Sequence, residues 1–193
     1  MLPAIFLLVL AIVWRIVSAF THGYDFGWMH NFAPLSAIAL CGAIFLPRRF
    51  AFALPLGALL LSDLILNPHY GFPLISIEML ARYAALALIA TGGLALRARP
   101  QAGWVLGASA GGSALFYILT NTGSWLTQTN PGYAKTLGGW VQALTTGLPG
   151  YPETWMFYRH TFVSDLLFTA LFLVCFAGAR ARRAAEAPTA AVS

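Results

Sequence analysis

The chain has 193 residues, 59% of them hydrophobic and only 9% charged, with a formal net charge of +5 and a mean hydropathy of +0.74. A soluble domain carries about 25% charged residues, so a water-soluble globule of this length is excluded. The basic residues form short clusters without interleaved aromatics, which argues against a nucleic-acid surface.

The fold class that follows is an all-α integral membrane protein, read here as one domain over 1–180 with a short tail over 181–193. Met1 to Phe20 is apolar apart from Arg15 and Ser18. It lacks a basic leader and has the ~20 residues a span needs, so a retained helix is preferred over a signal peptide. Arg15 either snorkels to the interface or partners an intramembrane carboxylate. The loop Thr21 to Asn31 holds His22, Tyr24, Asp25, Trp28 and His30. Phe32 to Leu46 is a second apolar segment, barely long enough to cross, with Ala39 and Ala43 spaced for close helix packing. Phe50 to Leu66 is a third, interrupted by Pro55 and Gly57.

Asn67 to Pro73 reads as a hairpin, with Asn-Pro as the turn signal. Ser76 to Leu96 follows as the fourth span, with Ser76 placed to cap it and Glu78 in its first turn. Glu78 and Arg82 are four apart on one helical face, which predicts an intrahelical ion pair or a shared polar site. Ala102 to Thr127 is the fifth span, with Gly107, Gly111 and Gly112 on a glycine-rich face. Gln128 to Tyr158 is one long connection carrying Trp140, Tyr151 and Trp155, with a short interfacial helix expected near Val141 to Leu144. Its aromatic content predicts an ordered lid and not a disordered linker. Phe162 to Gly178 is the sixth span. Cys41 and Cys175 lie in apolar runs and read as small buried hydrophobes.

Six spans with both termini in the cytoplasm place Arg48, Arg49, Arg97, Arg99, Arg180, Arg182 and Arg183 inside, and only Lys135 and Arg159 in outer loops. This satisfies the positive-inside rule. His22, His30, His69 and His160 then all face outward. A glycine-rich phosphate loop of the form GxxxxGK[ST] is absent from the sequence.

The chemistry concentrates between Ala58 and Tyr83, where Asp63, Asn67, His69, Tyr70, Glu78, Arg82 and Tyr83 fall in an otherwise charge-poor chain. Ionisable residues at membrane depth usually face a bundle interior, a partner or a cavity. Ser62-Asp63-Leu64-Ile65 is echoed by Ser164-Asp165-Leu166-Leu167. The echo is either a shared site, a weak internal repeat or chance.

NFAPLSAIALCGAIF at Asn31 to Phe45, ALPLGALLLSDLIL at Ala53 to Leu66, ISIEMLARYAAL after the hairpin and HTFVSDLLFTALF at His160 to Phe172 resemble the substrate-binding S components of energy-coupling-factor transporters. The likeness is sharper to the solitary vitamin B12 transporters of the BtuM type. The resemblance implies uptake of cobalamin or a related corrinoid across a bacterial inner membrane, with cobalamin as cargo and no intrinsic cofactor. It implies an outward cavity drawing on Tyr24, Asp25, Trp28, His30, Asp63, Asn67, His69, Tyr70, Glu78, Leu80, Arg82, Tyr83, Tyr151, Tyr158 and Asp165. Relatives of this type are associated with a cysteine that ligates cobalt near the start of the fourth helix. Here Leu80 occupies that region, so thiol ligation and thiol-dependent cobalt chemistry are not expected; either an imidazole of His22, His30, His69 or His160 substitutes, or the protein leaves cobalt unligated, or the vitamin is a different one. The first helix lacks the alanine pair four apart that docks the coupling subunit, in keeping with a solitary transporter or a different partner arrangement.

Three readings follow. The first is the vitamin carrier, for a corrinoid or for a different vitamin. The second is a membrane enzyme using intramembrane Asp and His, although no HExxH spacing is present. The third is an assembly protein whose polar residues only pin helices together.

Overall fold

A computed structural model describes residues 9–10, 12–14, 16–17, 34–69, 71, 73, 75–128 and 132–186, with backbone only for 179–186. Residues 9–10, 12–14 and 16–17 are helical, within the first expected span. Arg15, His22, Tyr24, Asp25, Trp28, His30 and Tyr70 lie outside the described residues. The remaining helices are α1 (Leu35–Phe45), α2 (Phe50–His69), α3 (Ile77–Leu96), α4 (Ala102–Thr127), α5 (Leu137–Leu144) and α6 (Thr154–Glu186). Among the described residues there is no strand.

The polarity is that of a membrane bundle. Leu60, Leu61, Leu64 and Ile65 of α2, Leu115 and Ile118 of α4, and Val163, Leu167 and Leu171 of α6 are exposed. Ser62, Asp63, Ser109, Ser113, Ser164, Asp165 and Thr169 are buried. Lipid can solvate the apolar outside, and only the protein interior can satisfy the polar groups. The chain is therefore a helical membrane protein. Among the described residues, four helices are long and apolar enough to cross a bilayer: α2, α3, α4 and the Thr154–Gly178 part of α6.

The segment expected to cross as Phe32 to Leu46 is different. Helix α1 has 11 residues, about 16 Å, which is roughly half of a hydrocarbon core. Its residues from Leu35 to Ile44 are all buried. It sits in the middle of the bundle and packs against α2, α3, α4 and α6. It ends toward Arg48 and Arg49, at the end of the bundle that also carries Arg97 and Arg99. We call this the arginine end, and the opposite one the connection end, after the long segment between α4 and α6.

A half-length helix in a membrane interior has a chemical problem. Its first amides and last carbonyls have no intrahelical partners and no water to turn to. Pro34, at the N-cap, offers no side-chain cap. The cap comes instead from α6, where Asp165 Oδ1 accepts the Ala37 N–H at 2.9 Å. At the other end, the Arg97 guanidinium of α3 donates to the Ala43 carbonyl at 3.1 Å and the Leu46 carbonyl at 2.6 Å. An oxygen acceptor at the N-terminus and a cation at the C-terminus both suit the helix dipole.

Close backbone contact completes the seating of α1. A Cβ added at Gly93 of α3 would fall 2.7 Å from the Leu40 carbonyl oxygen and 2.8 Å from the Ala43 Cβ. Of the Ala39/Ala43 pair, Ala43 thus takes the close approach of α3. The glycine face expected on α4 is used only in part: Gly112 rests on Ile89, while Gly107 and Gly111 have open space. At the arginine end, Phe45 stacks on Phe176 with centroids 4.5 Å apart.

Helix α2 runs through Asn67 and Pro68 to His69, past the point where Asn-Pro predicts a turn. Pro68 falls in the final turn, where its missing N–H removes a single hydrogen bond near the helix end. The turn falls instead on Gly71, at φ +69°. Ser76 caps α3 as its sequence position predicts, accepting the Met79 N–H at 3.1 Å. Helix α6 begins eight residues earlier than the sixth predicted span, absorbing the end of the long connection.

Asp165→Ala leaves the Ala37 amide buried without an acceptor, at about 1–3 kcal/mol, while the Ser113 hydroxyl keeps the Ser109 carbonyl at 3.1 Å. Thermal unfolding in detergent is expected to show a clear drop for Asp165→Ala and a smaller one for Asp165→Asn, which keeps a carbonyl oxygen for the amide. An Asp165→Ala protein as stable as wild type would refute the cap.

Candidate functional site

Three polar groupings stand out in the bundle. The deepest is built from pairs of residues four apart on three helices. Asp165 and Thr169 of α6, Ser109 and Ser113 of α4, and Ala37 and Cys41 of α1 face one another. The Ser113 hydroxyl donates to Asp165 Oδ2 at 2.6 Å, and the Ser109 and Thr169 hydroxyls share a 2.8 Å hydrogen bond. The Cys41 thiol donates to Thr169 Oγ1 at 3.9 Å. Asp165 is 0% exposed, roughly 16 Å along α6 from Thr154. This column fastens α1 to α4 and α6. It does not line the cavity described below.

The second grouping joins α2 to α3 nearer the connection end. Arg82 donates to Asp63 Oδ2 at 3.3 Å, with the two side chains 29% and 3% exposed. Arg82 thus reaches across to Asp63, while Glu78 accepts a hydrogen bond from Thr127 of α4. The Asn67 amide donates to the Pro73 carbonyl at 3.3 Å and holds the hairpin. Ser62 and Ser164 are both buried, but the two Ser-Asp pairs do different work: Asp63 pairs with an arginine and Asp165 caps a helix.

The third grouping encloses space. A cavity of about 200 Å³ lies between α4 and α6 at the connection end, lined by Phe116, Tyr117, Thr120, Asn121, Thr154, Phe157, Tyr158 and Thr161. On α6 the lining residues follow i, i+3, i+4, i+7 spacing, so they form one helical stripe. Phe116-Tyr117-Ile118-Leu119-Thr120 on α4 matches Phe157-Tyr158-Arg159-His160-Thr161 on α6 as F-Y-x-x-T. The two copies supply most of the wall. The Tyr117 and Tyr158 rings meet with centroids 4.8 Å apart.

The long connection is fastened over this region. The Tyr117 hydroxyl donates to the Leu144 carbonyl at the end of α5. The Trp140 indole of α5 donates to Thr122 at 2.9 Å, and the Trp125 indole donates to the Ala134 carbonyl at 2.8 Å. Lys135 donates to the carbonyls of Trp125 and Gln128. Tyr133 hydrogen-bonds Thr154; burial pushes its hydroxyl above the ordinary tyrosine range, and that bond pulls it partly back. Thr136 caps α5 by accepting the Gly139 N–H at 3.2 Å. The expected short helix is present in the described part of the connection, at Leu137–Leu144, and includes Val141 to Leu144.

Of the residues singled out from sequence, Tyr158 lines the cavity. Asp63 and Arg82 are brought together, and Glu78 lies one turn before Arg82. Tyr83 is half-buried against the core around α1. Asp165 is in the deep column. Leu80 is 62% exposed on α3, and Tyr151 is exposed on the connection. His69 is exposed at the end of α2. Tyr24, Asp25, Trp28, His30 and Tyr70 lie outside the described residues. Among the described residues, no three His, Cys, Asp or Glu side chains converge to hold a metal. The polar far end of the fifth span, from Thr120 to Trp125, reads from sequence as either a cavity wall or a stretch emerging into the headgroups, and its Thr120 and Asn121 line the cavity; sequence reasoning missed Phe116, Tyr117, Thr154, Phe157 and Thr161. The repeated F-Y-x-x-T was the available signal.

Residues 1–188 match a family profile described as a family of unknown function, DUF6580. The chain belongs to this family. No curated protein and no solved structure matches it. The family therefore spans the entire bundle, including both walls of the cavity and the connection above it.

Truncating either member of the Asp63–Arg82 pair leaves the other charged group without its partner. Breaking a buried pair costs about 3–5 kcal/mol, and the partial exposure of Arg82 places this one toward the low end. A double-mutant cycle with Asp63→Ala and Arg82→Ala is expected to show a favourable coupling of at least about 1 kcal/mol in detergent unfolding. Additive losses would mean that the pair does not hold α2 to α3.

Proposed function

We propose that this protein is a solute-binding carrier that takes up a vitamin in the manner of S components of energy-coupling-factor transporters. In this reading it has six spans in a bacterial inner membrane, both termini in the cytoplasm and the connection end outside. The observation that carries the reading is the cavity between the two F-Y-x-x-T faces, placed at the bundle end to which the connection is fastened through Tyr117, Trp140 and Lys135. Aromatic walls with a few fixed polar groups are the usual make-up of a small-molecule site. The arginines of the short loops lie at the opposite end, as the proposed orientation requires. The sequence resemblance names the corrinoid as the first ligand to test.

Size bears on which vitamin. Sites for drug-sized ligands commonly occupy about 300–1,000 Å³, and this cavity has about 200 Å³. A one-ring vitamin suits it as it stands. A corrin ring requires the connection to lift away from Tyr117 and Thr122. Leu80 offers cobalt no donor, and Cys41 is committed to Thr169 in the core. The exposed His69 imidazole, at the connection end, is the remaining candidate on the hairpin.

Detergent-purified protein should be titrated with cobalamin, cobinamide and a panel of one-ring vitamins, followed by calorimetry and visible absorption. We expect submicromolar binding of one member, weakened at least tenfold by Tyr158→Ala. If a corrinoid binds with an absorption shift, loss of that shift in His69→Ala would assign the axial imidazole. Absence of binding across the panel would defeat the carrier reading.

A further inference from the structure

The cavity's wall has a bias in hydrogen-bonding sign. Three of its polar residues have already committed protons to backbone carbonyls. Thr120 donates to the Phe116 carbonyl at 2.8 Å, with the Tyr117 carbonyl at 3.3 Å as a second acceptor. Asn121 donates one of its amide hydrogens to the Tyr117 carbonyl at 2.9 Å, which turns its Oδ1 to the opposite edge. The Tyr117 hydroxyl donates to the Leu144 carbonyl. What these groups still offer is chiefly lone pairs. The four rings in the wall, Phe116, Tyr117, Phe157 and Tyr158, add faces that carry partial negative charge. No lysine or arginine is among the lining residues, so nothing there compensates an anion.

Resting on the carrier reading, we infer that the cavity selects a ring-sized amine: a solute that presents N–H donors, protonated or neutral, and bears no carboxylate or phosphate. The donor edge lies against Thr120 Oγ1 and Asn121 Oδ1, and the ring lies among the aromatic side chains. A carboxylate in the same place would set its lone pairs against those of Thr120 and Asn121, and would be desolvated with no cation among the lining residues.

Three size-matched probes separate the outcomes: benzylamine, benzyl alcohol and benzoate, titrated into detergent-purified full-length protein by calorimetry and ligand-observed NMR. Benzylamine is expected to bind at least tenfold more tightly than benzyl alcohol, with no binding of benzoate. Thr120→Val and Asn121→Leu should each lower benzylamine affinity about tenfold while thermal unfolding shows the bundle intact. Benzoate binding as tightly as benzylamine would overturn the inference, as would unchanged affinity in both variants. The vitamin panel distinguishes the two levels. Tight binding of an acidic vitamin in this cavity would keep the carrier and remove the amine preference, whereas silence from every vitamin and every probe would remove both.

Discussion

Helix α1 starts inside the bundle and stops at its arginine end, so neither of its termini can rely on bulk water in the way a full span can. Its free amides meet the Asp165 carboxylate of α6, and its free carbonyls meet the Arg97 guanidinium of α3. Both contacts suit the helix dipole, and the one to Arg97 is charge-assisted, so it is stronger than a neutral cap would be. The arrangement also fixes geometry. A helix held at both ends by two different neighbours cannot slide along its axis or rotate independently of them. Gly93 then allows α3 to come down onto the backbone of α1, and the hydroxyl column through Ser113, Ser109 and Thr169 carries the same register to α4.

This dependence explains why an apparently wasteful carboxylate sits fully buried at mid-membrane. An ionised aspartate there is costly in isolation. Here it accepts from a backbone amide that would be unsatisfied without it, and from the Ser113 hydroxyl, which also reaches the Ser109 carbonyl at 3.1 Å. The polar groups of the column thus compensate one another. Asp63 is handled differently. It lies nearer the connection end and pairs with an arginine that still reaches solvent, so desolvation is shared with the headgroup region. Two identical Ser-Asp dipeptides therefore end in two unlike environments, and the difference comes from what each helix meets.

Much of the bundle is legible in the sequence because its cause is local. The boundaries of α3 and α4 follow from Ser76 at a cap and from apolar runs between arginine clusters, and the structure places them at Ile77–Leu96 and Ala102–Thr127. The half-length of α1 is not legible in the same way. NFAPLSAIALCGAIF is apolar throughout, and nothing in the run marks Pro34 as a cap supplied from a helix more than a hundred residues away. The turn at Asn67-Pro68 fails for a related reason: tertiary packing keeps Leu66 and Asn67 buried on α2 and carries the helix on, leaving the reversal to Gly71. Arg82 is ambiguous for the same cause, since spacing pairs it with Glu78 and packing pairs it with Asp63.

The site shows the sharpest version of this limit. Charge drew attention to Ala58 through Tyr83, because ionisable residues are conspicuous in an apolar chain. The cavity is instead lined by phenylalanines, tyrosines, threonines and an asparagine, which look ordinary near a membrane interface. Their significance lies in pairing two helices that are separated by the whole connection, and only the F-Y-x-x-T echo hints at it. The hydrogen-bonding sign of the wall is further removed still. It depends on where Thr120, Asn121 and Tyr117 send their protons, and two of those three go to carbonyls of the same helix. Back-bonding to the preceding turn is usually regarded as a way for hydroxyls and amides to hide in a membrane helix. In a cavity wall it has a second effect: the protons of Thr120 and one of those of Asn121 are spent within the helix, so helix-internal hydrogen bonding bears on what kind of edge a bound molecule can present.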